Sequence, residues 1–151
     1  MAEFTLTDYK VAIQTALSGS DINSLASGSA SVLSAEIDNS TTKYLYANME
    51  LNLASLTPTA GGYVALYLVP AVDGTPTYPT WDSGASPGTI NNNYFVGSFS
   101  TKAATAAQRI VMREIQLPPG KFKFAVYNGC GYAFPASGNT LSWRPFNTAS
   151  V

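Results

Sequence analysis

The strictest constraint in this chain is the alternation in Lys43–Leu53. Leu45, Ala47, Met49, Leu51 and Leu53 are apolar, while Tyr44, Tyr46, Asn48, Glu50 and Asn52 fall between them. A helix would scatter the apolar set around its circumference. An extended strand places it on one face, which must then be covered by a second layer. Gly62–Val69 repeats the pattern, with Val64, Leu66 and Leu68 opposite Tyr63, Ala65 and Tyr67. In Lys121–Tyr127, Phe122, Phe124 and Val126 face one way, and Lys121 and Lys123 the other. Asn93–Phe99 sets Phe95 and Phe99 against Tyr94 and Val96. Arg109–Leu117 sets Val111, Ile115 and Leu117, with Arg109 and Arg113, against Ile110 and Met112. Val32–Ile37, Tyr132–Phe134 and Thr140–Phe146 are shorter candidates, and Pro145 predicts that the last is an edge strand or stops there.

Turn residues separate these runs: Thr57–Gly62, Asp73-Gly74, Pro118-Pro119-Gly120, Asn128-Gly129 and Ser137–Asn139. About eight strands joined by short turns predict an all-β fold, a jelly-roll-like antiparallel β-sandwich. Two connections stand apart. Ala103–Ala107 suits a helical turn, and Pro70–Asn92 is long enough to be functional or interfacial.

Residues 1–29 read differently. Tyr9, Ala12, Ile13, Ala16 and Leu17 share one face at helical spacing, which predicts a short helix over Asp8–Leu17 capped by Thr7 or Asp8 and stopped at Gly19. Ser18–Ala30 is rich in small polar residues and reads as a linker or extended arm. The expected organisation is an N-terminal arm, 1–29, that the sandwich of 30–151 can fold without. The first residues carry no basic stretch followed by an apolar run, which predicts synthesis in a cytosol without a secretory signal. No apolar run is long enough for a membrane-spanning helix. Asn39-Ser40-Thr41 matches a glycosylation pattern but reads as a polar turn.

Composition narrows the function. Charged residues make up 11% of the chain, histidine is absent, there is one cysteine, and the net charge is −1. Without histidine there is no Ser-His-Asp or Cys-His catalysis and no His-ligated zinc. One cysteine forms no internal disulfide or thiolate cluster. The charge lacks the positive field that nucleic-acid binding needs, although Lys102, Arg109, Arg113, Lys121, Lys123 and Arg144 gather in the C-terminal half. Carboxylate pairs such as Glu36 with Asp38, or Glu50 with Glu114, read as surface groups or arginine partners, since nothing in their spacing selects them for glycosidase chemistry. Cys130, in Asn128-Gly-Cys-Gly131, reads as a small buried residue. Gly129-Cys-Gly131 lacks the Gly-Lys-Thr of a phosphate loop. The expectation is a non-enzyme with no metal or cofactor. A neutral polar surface favours association, and Tyr78 and Trp81 in the long loop suit a protein interface or sugar stacking. Folding back to plug one end of the sandwich is the structural alternative for Trp81. Trp143 reads as core or an edge anchor.

Several segments carry a resemblance: Ala35–Ser40, Tyr44–Leu53, Trp81–Gly88, Leu117–Val126 and Asn139–Phe146. Across roughly 30–147 the chain resembles small virion structural proteins of tailed bacteriophages. The resemblance implies a jelly roll that decorates and cements the capsid, as a homo-oligomer such as a trimer. It implies docking on the major capsid protein and sister subunits, with the N-terminal arm as a docking element and the virion as location. No site residues transfer with it. The candidate contacts are Tyr9, Ile13 and Leu17 in the arm and Tyr78 and Trp81 in the loop. The alternative is a carbohydrate-binding or tail- or fibre-associated β-sandwich, with a glycan as ligand.

Overall fold

The computed structural model describes residues 5–9, 11–73, 77–84 and 91–150. The described residues form nine strands: β1 (Thr5–Asp8), β2 (Gln14–Ser18), β3 (Ile37–Asp38), β4 (Tyr46–Leu56), β5 (Tyr63–Pro70), β6 (Phe95–Ser100), β7 (Ala106–Gln116), β8 (Lys121–Gly129) and β9 (Thr140–Ser150). One sheet runs β1-β9-β4-β7, with β2 also paired to β9, so β1 and β2 lie end to end in one lane. The other runs β3-β8-β5-β6. All pairings between these strands are antiparallel. The pairs nest: β5–β6 is innermost, then β4–β7, β3–β8 and β2–β9, falling alternately in the two sheets. A long antiparallel ribbon rolled in this way is a jelly roll, the expected architecture.

Alternation builds the core. Ala47, Met49, Leu51 and Leu53 of β4 point inward with Leu141 and Trp143 of β9. Val64 and Leu66 of β5 meet them from the other sheet, together with Phe99, Phe122, Phe124 and Val126. Leu45 lies beyond the covered interval, and its side is exposed.

Several sequence expectations are corrected. The Asp8–Leu17 helix is replaced by two strands, β1 and β2; Lys10 within it lies outside the described residues. A ten-residue helix is marginal alone, whereas β9 offers a ladder to both halves of the segment. Leu17 and Ile22 are completely buried in the core, so residues 14–22 are part of the sandwich. Pro145 does not make β9 an edge or end it. β9 is flanked on both sides, and Pro145 falls between its register with β2, which ends at Trp143, and that with β1, which begins at Asn147. Among the described residues no ladder partner stands on that side of Pro145, so the missing N–H forfeits no bond to them there.

The face of β7 is also reassigned. Ile115 pairs with Ala47 but Met112 pairs with Met49, an extra residue in β7. Glu114 takes it up at φ 59°, and its N–H donates to Asn48 Oδ1 at 3.0 Å. The bulge reverses the parity, so Ile110 and Met112 face the core with Ile115 while Val111 is exposed. Finally, Tyr132–Phe134 forms no strand and Ala103–Ala107 no helical turn, and Val32–Ile37 contributes only its last residue to β3.

Residues before β3 still follow β8 closely. Ser31 N–H donates to Val126 O and Ser34 N–H to Phe124 O, both at 2.8 Å. The hydroxyls complete the exchange: Ser34 Oγ accepts from Phe124 N–H at 2.9 Å and Ser31 Oγ from Val126 N–H at 3.0 Å. Side chains thus replace carbonyls along β8, and the lane needs no regular strand.

Two outcomes are expected. Ser34→Ala leaves the buried Phe124 N–H without a partner, which costs about 1–3 kcal/mol in urea unfolding. Deleting residues 1–29 removes Leu17 and Ile22 from the core, each worth about 2–5 kcal/mol against a total of about 5–15. The truncated chain should show no cooperative thermal transition by circular dichroism.

Candidate functional site

The sequence-proposed contact residues occupy three environments. Leu17 is in the core and presents nothing outward. Tyr9 and Ile13 lie on the crossing between β1 and β2 and are exposed, Ile13 by 53%. Tyr9 is nevertheless held in place. Its ring centroid is 5.4 Å from that of Phe146, the Arg144 guanidinium sits 4.2 Å above it, and its hydroxyl accepts from Asn48 Nδ2. Tyr46 stacks on Phe146 at 5.6 Å, so the outer face of the first sheet carries an aromatic cluster.

Tyr78 and Trp81 are anchors for the long connection. The Trp81 indole N–H donates to Ser31 O at 2.8 Å, and its ring packs 5.3 Å from Tyr67. It therefore covers the outer face of the second sheet and does not plug an end. Tyr78 donates to Glu36 Oε2 at 2.9 Å, beneath Lys123, whose Nζ is 4.5 Å from the ring centre. Of this connection, Gly74 in the expected Asp73-Gly74 turn and residues 85–88 in the Trp81–Gly88 segment lie outside the described residues.

Three carboxylates, Glu36, Asp38 and Glu50, are engaged within the chain. Glu36 Oε1 is 2.8 Å from Lys121 Nζ, and Asp38 Oδ2 is 4.0 Å from it. Glu50 meets Arg109 at 2.6 Å. Hydrogen bonds from Lys121 and then Tyr78 hold Glu36 below the ordinary carboxylate value. Those from the Ser40 hydroxyl and amide do the same for Asp38, and the bond from Arg109 for Glu50. Cys130 is fully buried, and burial pushes its thiol up, away from the thiolate a nucleophile needs. Among the described residues there is no cluster of three or more metal-ligating side chains. None of their helices is long and apolar enough to cross a membrane.

A further concavity lies on the outer face of β5 and β6. Tyr63, Ala65, Tyr67, Asn92, Phe95 and Ser98 line an open trench of about 430 Å³. Ala65 and Ser98 pair as its floor. At one end Phe95 packs edge-on against Tyr67, with centroids 5.9 Å apart. At the other, Tyr63 lies over Gly129: a Cβ there would fall 2.8–3.0 Å from three atoms of the ring. Sequence alternation puts Tyr63, Ala65 and Tyr67 on one outward face but assigns Phe95 inward with Phe99. A bulge at Val96 overturns that, since Leu66 pairs with Gly97 while Tyr67 pairs with Phe95. Phe95 is 50% exposed.

No family model and no curated protein matches this chain.

The paired carboxylates set an acid limit. Their folded-state values lie below the ordinary 4.5 for Glu and 3.8 for Asp. Their stabilisation is therefore complete above those values and lost as pH falls through the depressed ones. Melting midpoints should drop below about pH 4, and Glu36→Gln should reduce that drop. Burial, then the bond to Glu36, pushes Tyr78 up to about 12 from 10.0. Its contribution persists below pH 10 and is lost as pH rises through about 12. Ultraviolet titration should show a late tyrosinate that Tyr78→Phe removes.

Proposed function

We propose that this chain is a bacteriophage virion structural protein, a non-enzymatic capsid decoration protein that binds the head surface and stabilises it. The observation that carries the reading is how the surface charges are used. Glu36, Lys121, Glu50, Arg109, Arg144 and Lys123 each have a partner within the chain. Ile13, Leu45 and Val111 are meanwhile more than half exposed. A surface of this kind meets a neighbour with little charge desolvation, the usual obstacle to covering polar protein faces. Jelly rolls occur in capsid and in lectin domains alike, so the fold alone does not choose between them. The segments that resemble tailed-phage virion proteins add the second support.

The mechanism is additive burial. A contact of about 1,600 Å² is specific without being strong, and many copies on a closed shell supply avidity. The partners in this reading are the major capsid protein and sister subunits, in a homo-oligomer such as a trimer. Tyr9 and Ile13 remain as contacts. Leu45 joins them, because its N–H donates to Asn147 Oδ1 and Asn147 is the register partner of Asp8. Leu17, Tyr78 and Trp81 leave the contact set, being occupied by the fold.

The test is mass spectrometry of gradient-purified particles of the phage that encodes the chain. The expected result is a multicopy virion protein, and its absence from the particles overturns the reading. In add-back to particles lacking it, Ile13→Asp with Leu45→Asp should lower occupancy about tenfold. The melting temperature should not change, since both side chains are exposed.

A further inference from the structure

We propose that the trench between Tyr63 and Phe95 is a binding site for a neutral oligosaccharide. The inference names a site and a ligand class for the glycan alternative. It is independent of the virion assignment, because the assay below uses the isolated chain.

Three features of the trench point to this chemistry. The first is a fixed stacking platform. Tyr63 and Gly129 are cross-strand partners, and only the missing side chain at Gly129 lets the phenol ring lie flat on β8. One ring face is occupied by the backbone, so the opposite face is the one left to solvent, and Tyr63 is 41% exposed. Leaning toward β8 also clears the space above Ala65 and Ser98. A ring immobilised before binding loses little entropy on stacking.

The second is spacing. Phe95 sits opposite Tyr67, four residues along β5 from Tyr63. At a strand rise of about 3.3 Å per residue, the backbone positions that carry the two exposed rings are offset by about 13 Å along the strands. One aromatic at each end and a small-residue floor between them suit a chain of linked rings better than a single compact ligand.

The third is polarity. The lining carries no charged side chain, so an anionic or cationic ligand would find no counter-charge. Asn92, Ser98 and the tyrosine hydroxyls instead offer neutral donors and acceptors. A pyranose has the matching form, with an apolar C–H face for the ring and a rim of hydroxyls for the amide and hydroxyl groups. The trench volume of about 430 Å³ falls in the range of small-molecule sites.

The experiment titrates the full chain with neutral hexaoses of the malto-, cello-, chito- and xylo- series, using calorimetry and tryptophan fluorescence. Trp81 reports, because it packs on Tyr67 at the end of the trench. At least one series should bind with micromolar to millimolar affinity. Tyr63→Ala and Phe95→Ala should each weaken it about tenfold without shifting the melting temperature. Gly129→Ala keeps every aromatic but drives the Tyr63 ring off the sheet, and it should weaken binding severalfold. Ile13→Asp should have no effect. If no hexaose binds at millimolar concentration, or if Tyr63→Ala and Phe95→Ala leave binding unchanged, the proposal is overturned. It is also overturned if those variants change only the sedimentation coefficient, since the trench would then join copies of the chain. A variant that fails to fold is replaced by Tyr63→Leu or Phe95→Leu, which keep apolar bulk but remove the ring.

Discussion

Everything in this molecule leans on one aromatic contact between the sheets. Phe122 and Phe124 of β8 pack edge-on at 5.3 Å, and the Trp143 ring of β9 meets them at 6.2 and 6.0 Å. β8 and β9 are interior strands of their respective sheets, so the contact sits away from the sheet edges. Its bulk fixes how far apart the sheets lie. The smaller inward residues, from Ala47 to Val64, then fill what is left. Aromatic pairs of this geometry add about 0.5–1.5 kcal/mol beyond their buried area. Their larger role is directional, because edge-on packing admits few alternative registers.

Around that core, buried asparagines do for the loops what charges do in more ionic proteins. Asn39 donates to Tyr44 O and Pro118 O and accepts from Tyr44 N–H, all at 2.8 Å. Asn128 donates to Leu25 O and Tyr132 O while accepting from Cys130 N–H, each at 2.9 Å. Asn139 links Asn23, Pro135 and Ala54. Each amide uses both donors and its acceptor, so each joins backbone segments distant in sequence with no ion to desolvate. Among the described residues no buried side-chain nitrogen or oxygen lacks a partner. A chain with few charges can thus order long connections and still present a neutral exterior.

The sequence was most legible where one face alone is buried. β4 follows the two-residue period closely, whereas Phe124–Asn128 of β8 are buried on both faces although Phe122, Phe124 and Val126 still point inward as the alternation reads. Legibility failed where a single residue changes parity or a partner overrides local preference. The bulges at Glu114 and near Val96 reverse the faces of β7 and β6, and nothing local in Met112–Glu114 or Tyr94–Val96 announces them. Residues 8–17 have helical spacing, yet β9 lies alongside and extended pairing wins. The same limits govern the candidate site. Tyr63 and Tyr67 could be read as outward, but Phe95 could not. Tyr78 and Trp81 looked free because their partners, Glu36 and Ser31, are more than forty residues away.

The position of β9 has a kinetic consequence. It occupies the interior of the first sheet, between β4 and the lane of β1 and β2, yet it follows all of them in the chain. During synthesis β4 and β2 therefore emerge long before the strand that joins them. The β5–β6 hairpin and its neighbour β8 can assemble early, but the first sheet cannot close until Thr140–Ser150 has left the ribosome. Pairing of such sequence separation is slow, and unpaired strand edges are where nascent chains stick to one another. The interval before β9 docks is thus the period of greatest exposure to aggregation. A chaperone that shields the edge of β4 would raise the yield of folded protein more than one acting after release.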